Sequence, residues 1–357
     1  MDKQITCPEL NINLARLKNA CWSPRGNAAP AFASNPPFTC TLSPGAPNGN
    51  AMAKLKFLLS LPTDDNDFQQ EQAAAAKETA QRLDFQLDIV HADNDAIKQS
   101  DQILKAIQAA PQNRPQGILF EPLGATSLPQ VARAASGAGI AWVILNRFAE
   151  YLPELRRANR APAFCVSSDH LEIGRIQGMQ FAALLPQGGS ILYIQGPSEN
   201  SAAKDRTIGM QETKPLNIRV NMLKAQWTED SAYKAVLSWM RLPTSAKQAV
   251  DLVAAQDDSM AMGARKAMQE RPDAEGREKW LRLPFTGCDG LVNSGQKAVR
   301  SGTLTATVVV PPNTQPALEM LVAALEQGKA PLEQVLTVPS SFPSLADLMR
   351  QGAKRNR

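Results

Sequence analysis

The chain has 357 residues, 38 of them Lys or Arg and 34 Asp or Glu, for a formal charge of +4, with 20% charged and 43% hydrophobic residues. So small and scattered a charge excludes a nucleic-acid surface of the usual kind, and the length exceeds what one core normally holds, so two lobes are expected. The five cysteines form no CxxC pair and only His91 and His170 could join them, so neither a zinc site nor any cofactor is expected.

Residues 1–51 are rich in Pro, Asn, Ser and Gly without periodicity and read as a disordered N-terminal extension. Met52 opens MAKLKFLLSLP, a buried-strand pattern, so a translation start at Met52 is an expectation that intact mass checks. The first residues hold no continuous apolar signal region, and no window approaches the roughly 18 apolar residues of a membrane span. A cytoplasmic location is therefore expected, with a periplasmic one as the alternative if the N-terminus is misassigned.

From Leu55 the pattern alternates strand and helix, which argues for βαβ units and parallel sheets. The first series reads as strand 55–61, helix 68–83, strand 86–91, helix 96–110, strand 117–120, helix 128–137 and strand 141–145. A polar, Arg-rich segment from Tyr151 to Pro162 interrupts it. The second series reads as strand 164–166, helix 171–185, strand 190–195, helix 202–213, strand 218–225, helix 230–240, strand 250–255, helix 259–269, strand 285–288, helix 292–301 and strand 304–310. A further helix, 315–326, and a short apolar run, 335–338, follow Pro311 and Pro312, so the chain is expected to cross between lobes more than once. The domains are read as 52–168 plus 311–336 for the N-terminal lobe, 169–310 plus 337–347 for the C-terminal lobe, and a basic tail at 348–357.

Parallel sheets bring the residues that follow each strand to one edge, where open α/β sheets bind ligands. Those residues are 64–68, Asn146 and Arg147, Lys204 and Arg206, Trp227, Asp257 and Asp258, and Asp289. Carboxylates, an amide, cations and a large aromatic together suit a neutral polyhydroxylated ligand, with donors and acceptors for hydroxyls and a ring for the C–H face. Taken singly, Asp64 and Asp258 read first as helix N-caps, and Trp227 reads equally as a core or interlobe residue. Arg147, a fixed charge after a buried strand, is better explained by a ligand than by structure.

The motifs VILNR at 143–147, SSDHLEIG at 167–174, SAAKDRTIGM at 201–210, AQWTEDSAYKAV at 225–236, AAQDDSMAMGA at 254–264 and GCDG at 287–290 are specific in their order and spacing. Over residues 54–347 the chain resembles the type I periplasmic sugar-binding proteins, ribose-binding-protein-like and related to LacI-type effector domains. The resemblance implies two doubly wound parallel-sheet lobes joined by a multi-crossover hinge. It further implies a solute-binding protein that captures a sugar or sugar-like ligand by hinge closure for an ABC-type transporter.

By that resemblance Asn146 and Arg147 take the family's Asp-Arg ligand pair, Lys204 a ligand arginine, Trp227 the stacking aromatic, Asp257 an Asn or Asp ligand and Asp289 a hydroxyl-binding Asp. Phe68 is a second stacker. Asn146 for a carboxylate, Lys204 for an arginine, Val310 near a polar amide position and the aromatic-poor loop PTDDNDF depart from the pattern and argue against ribose itself.

An enzyme is disfavoured: no G-x-G-x-x-G follows the first strand, and no Walker or G-x-S-x-G motif occurs. His170 beside Asp169 reads as an exposed first-turn histidine. A DNA-binding regulator would need a helix-turn-helix, which 1–51 does not supply. The alternative is a ligand-sensing effector domain. The expected partners are a sugar-like molecule and an ABC permease or membrane sensor, without nucleic acid, for a monomeric protein.

Overall fold

A computed structural model describes residues 54–123, 127–245 and 248–355. The expected disordered extension, the Met52 start and Cys7, Cys21 and Cys40 lie outside them. The run KFLLSL forms β1 (Lys56–Leu61), and its period-2 geometry sends Phe57, Leu59 and Leu61 to one face and Leu58 to the other. On the first face they meet Ala73, Ala76 and Ala80 of α1 (Asp67–Leu83) and Leu318 and Leu321 of α11 (Thr314–Glu326). On the second they meet Ile103 and Ile107 of α2 (Ala96–Gln108) and Val131 and Ala132 of α3 (Pro129–Gly137). Helices therefore cover both faces, which is why the strands are nearly continuous apolar runs.

The first lobe completes its sheet with β2 (Gln86–His91), β3 (Gly117–Phe120), β4 (Ala141–Leu145), β5 (Ala163–Ser168) and β11 (Gln334–Thr337), all parallel, in the order β11-β5-β4-β3-β1-β2. The second lobe pairs β6 (Gly189–Gln195), β7 (Ile218–Lys224), β8 (Leu252–Ala255) and β9 (Phe285–Thr286) in the order β7-β6-β8-β9. Bridges Thr286↔Ala306 and Asp289↔Val309 add β10 (Thr307–Val309), and β12 (Ser340–Phe342) pairs with it antiparallel. The helices of this lobe are α5 (His170–Leu184), α6 (Ser201–Thr213), α7 (Glu229–Met240), α8 (Asp258–Gln269), α9 (Ala274–Leu281) and α10 (Gly295–Arg300). Three segments cross between lobes, after β5, between β10 and α11, and between β11 and β12, as a multi-crossover hinge requires.

Several elements differ from expectation. The polar segment 151–162 holds α4 (Leu152–Ala158), anchored by buried Leu152 and Leu155 at i, i+3. The helix α9 and the strand β12 were not expected from the apolar pattern. Thr337 pairs with Ser168 and so belongs to the first sheet. Most consequentially, 345–355 is the helix α12 (Leu345–Arg355), which packs on α5 and fully buries Leu348, so the expected basic tail is helical as far as Arg355. Among the described residues no helix is long and apolar enough to cross a membrane.

Candidate functional site

The winding direction reverses between β1 and β3 in one sheet and between β6 and β8 in the other, which leaves a crevice at the carboxyl edge of each. The two crevices face each other across a cavity of about 530 Å³. The first wall begins in the loop after β1, where Asn66 caps α1 by accepting from Gln69 N at 2.9 Å, so Asp67, Phe68 and Gln69 form the first turn. Glu121 follows β3, and Asn146 and Arg147 follow β4. The second wall is built from Arg206 on α6, Trp227 after β7, Asp257 after β8 and Asp289 beyond β9.

Asn146, Trp227 and Asp289 all adopt positive φ, at 62°, 60° and 98°. For a side chain as bulky as tryptophan that conformation is costly, and such strain gathers where the surroundings hold a side chain for function. Gly196 makes room for it: a Cβ there would lie 2.3 Å from the Trp227 ring.

On the first wall Glu121 is buried and accepts hydrogen bonds from Gln69 Nε2 at 2.8 Å and Asn146 Nδ2 at 2.9 Å. Asn146 Oδ1 accepts in turn from Asn313 Nδ2 at 3.4 Å, in the second hinge segment, and Asn313 Oδ1 accepts from Thr337 Oγ1 at 3.2 Å, at the end of β11 where the third begins. Asn146 thus ties the cavity to the hinge. His170 contributes from the first crossing, its Nε2 lying 3.1 Å from the Asn146 carbonyl. It is buried rather than exposed as expected, its ring held against the Asn146 backbone, and Nδ1 has no partner among the described residues. Desolvation, reinforced by Arg206 and Arg147, lowers its pKa to about 3, so the imidazole is neutral and donates from Nε2.

On the second wall Arg206 is buried, with its guanidinium 5.5 Å from the centre of the Trp227 ring and 4.0 Å from Asp289 Oδ1. One Nη donates to the Gln256 carbonyl, while Nε has no partner among the described residues. Asp257 caps α8, accepting from Met260 N at 2.5 Å, and lines the cavity as well. Asp258, expected as the cap, instead accepts from Thr307 Oγ1 at 2.7 Å and Gly290 N at 2.8 Å, joining α8 to β10. Asp64 is not the cap of α1 either; Asn66 is. Burial pushes the pKa of Asp257 up to about 6 and that of Asp258 up to about 7.

Six of the seven expected site residues, Phe68, Asn146, Arg147, Trp227, Asp257 and Asp289, line the one cavity. Lys204 does not: it is exposed on the outer side of α6, and Arg206 occupies the wall in its place. Two residues are about 200° around a helix, so the two cations cannot share a face. Arg206 lies within the buried stripe Ala202, Ala203, Gly209 and Met210, a pattern readable in the sequence. Glu121 was missed because nothing in the run FEPLG marks it beyond its place after an apolar strand. Val310 packs with Phe68, Ile173 and Cys288 in an apolar contact between the lobes. Cys165 and Cys288 are buried free thiols, in keeping with their apolar contexts.

The chain is 26% identical over 298 residues to the ribose import binding protein of Salmonella typhimurium, covering 82% of this chain and 93% of that one. It is 30% identical over 220 residues to the xylitol-binding protein of Mycolicibacterium smegmatis, covering 60% and 56%. An ABC transporter periplasmic solute binding protein from Actinobacillus succinogenes, solved with bound D-allose, superposes with a TM-score of 0.70 at 17% identity, covering 83% of this chain and all of that one. Residues 57–330 match the model of the periplasmic binding protein domain, and the chain belongs to that family.

Proposed function

We infer that the protein is a solute-binding protein that captures a small polyhydroxylated ligand, a sugar or polyol, between its lobes and presents it to an ABC-type importer. The observation that carries this reading is the convergence on one cavity of polar groups from both lobes: Glu121 and Arg147 on one side, and Arg206, Asp257, Asp289 and the Trp227 ring on the other. Paired donors and acceptors suit vicinal hydroxyls, and the ring suits a C–H face. A ligand touching both walls favours the closed arrangement by its differential affinity. Charge-assisted hydrogen bonds contribute roughly 1.5 to 3 kcal/mol each, so three or four with a stacked ring reach the approximately 8 kcal/mol of micromolar binding.

Thermal unfolding against a panel of pentoses, hexoses, polyols and nucleosides tests the reading. A ligand at a hundred times its Kd adds about 2.7 kcal/mol of stability, so a saturable rise in Tm with one sugar or polyol class is expected. A flat panel in folded protein refutes it.

A further inference from the structure

The cavity is unbalanced in charge. Among the described residues Arg147 and Arg206 are the cationic residues that line it, and no lysine or histidine does. Against them stand Glu121, Asp257, Asp258 and Asp289, the first three buried and the last with a side chain 17% exposed. Asp65, Asp67 and Glu199 add exposed carboxylates at the rim. Seven carboxylates therefore face two guanidiniums, and closure over a ligand removes the water that screens them. Burial, with mutual repulsion at Asp258 and Asp289, pushes Asp257, Asp258 and Asp289 toward the protonated form, so against a neutral ligand these groups hold protons, whereas a cation in the closing cleft would favour their ionised form.

The carboxylates act on one another across the cleft. Burial raises the pKa of Asp289, and Asp257, Asp258 and, from the opposite lobe, Asp67 raise it further while Arg206 opposes them. Approach of the lobes brings like charges together, which a cation between them would offset.

One corner of the first wall is made of acceptors. Glu121 is held by two neutral amides, Gln69 Nε2 and Asn146 Nδ2, and has no ion-pair partner among the described residues. Gln69, which also lines the cavity, donates its side-chain N–H to Glu121, and its buried Oε1 has no donor among the described residues. A hydroxyl offers one hydrogen to such a corner, whereas an ammonium offers three and a charge.

We propose that the ligand is a polyol carrying a protonated amine, an amino sugar or aminocyclitol, with its ammonium seated against Glu121. This rests on the polyol reading of the cavity. Arg206 and Trp227 then receive the hydroxyl-bearing and C–H portions at the other wall.

Calorimetric titration of the full chain with matched probes tests it: glucose, glucosamine and N-acetylglucosamine; the corresponding galactose set; and an inositol with its amino counterpart. In at least one set the amine binds about tenfold or more tightly than its neutral partners at neutral pH, and the preference shrinks with added salt. Glu121→Gln lowers affinity for the amine more than for its hydroxyl counterpart; equal losses overturn the seat at Glu121. Neutral members that bind as tightly as their amines overturn the amine proposal and leave the polyol reading standing. A panel in which no member binds overturns both.

Discussion

Lys204 and Arg206 carry the same charge two positions apart on α6, and only Arg206 reaches the cavity. Motif similarity weighs both alike, while burial separates them: Arg206 sits in the apolar stripe of the helix and Lys204 in water. Asp257 and Asp258 pose the same problem, since either carboxylate could cap α8 on sequence grounds, and the pairing with Thr307, 49 residues away, that commits Asp258 elsewhere is invisible locally. Glu121 is a third case, because its partners Gln69 and Asn146 come from other strand ends. What local chemistry encodes was legible; which of two adjacent groups faces the cleft was set by tertiary contacts. Arg206→Lys keeps the charge but loses the planar group that lies over Trp227 and donates to Gln256. It is expected to weaken binding of the ligand found by thermal shift by about tenfold or more, whereas Lys204→Ala changes it by less than about twofold, as for an ordinary surface charge. Calorimetry on the two variants checks this, and the reverse order would return the site to Lys204.

The long helices were legible because period 3.6 is written in the chain wherever one face is buried, and the central strands because burial on both faces makes them short apolar runs: β3 and β4 begin and end where those runs do. Elements whose burial is confined to one or two residues were not. Leu152 and Leu155 are all that mark α4, and in α12 the basic residues Arg350, Lys354 and Arg355 suggest a solvated tail while Leu348 holds the helix to α5. Leu348 lies in the cluster of Phe181, Leu184, Ile191 and Tyr193, so α12 completes the core of the second lobe. Leu348→Ala should destabilise the protein by roughly 2 to 5 kcal/mol, the usual cost of truncating a buried leucine. Urea unfolding measures it, and a change within about 0.5 kcal/mol, typical of surface positions, would mean that the segment does behave as a tail.

At the scale of the whole molecule, two lobes each bury a core of their own and face each other across a cleft lined with charged groups beside one apolar contact, so the electrostatics of the cleft act on folding as well as on binding. The pKa of Asp258 is pushed up to about 7 by burial, with Asp257 adding to the rise and Thr307, Gly290 and Arg206 opposing it. In the unfolded chain the same carboxyl titrates near the ordinary 3.8. Between those values the folded protein holds a proton that the unfolded chain has released, so this group's contribution to stability is greatest at low pH and falls as pH rises toward 7. His170 works in the opposite sense: with its folded pKa lowered to about 3 against an ordinary 6.5, the unfolded chain takes up the proton first, and stability is lost as pH falls below 6.5. Asp257 and Asp289, whose pKa values are also raised, add to the slope of Asp258, and His170 opposes them in the same window, so the wild-type profile alone assigns none of them. Asp258→Asn removes one of them. Relative to wild type, the variant should gain stability as pH rises from acid to neutral, by more than about 1.4 kcal/mol, the worth of one pKa unit, and the difference should level off once Asp258 is fully ionised. Urea unfolding of both proteins across that range measures the difference directly. A difference that stays constant with pH would show that Asp258 is already ionised in acid, and that the crowded carboxylates of the cleft do not resist carrying their charge.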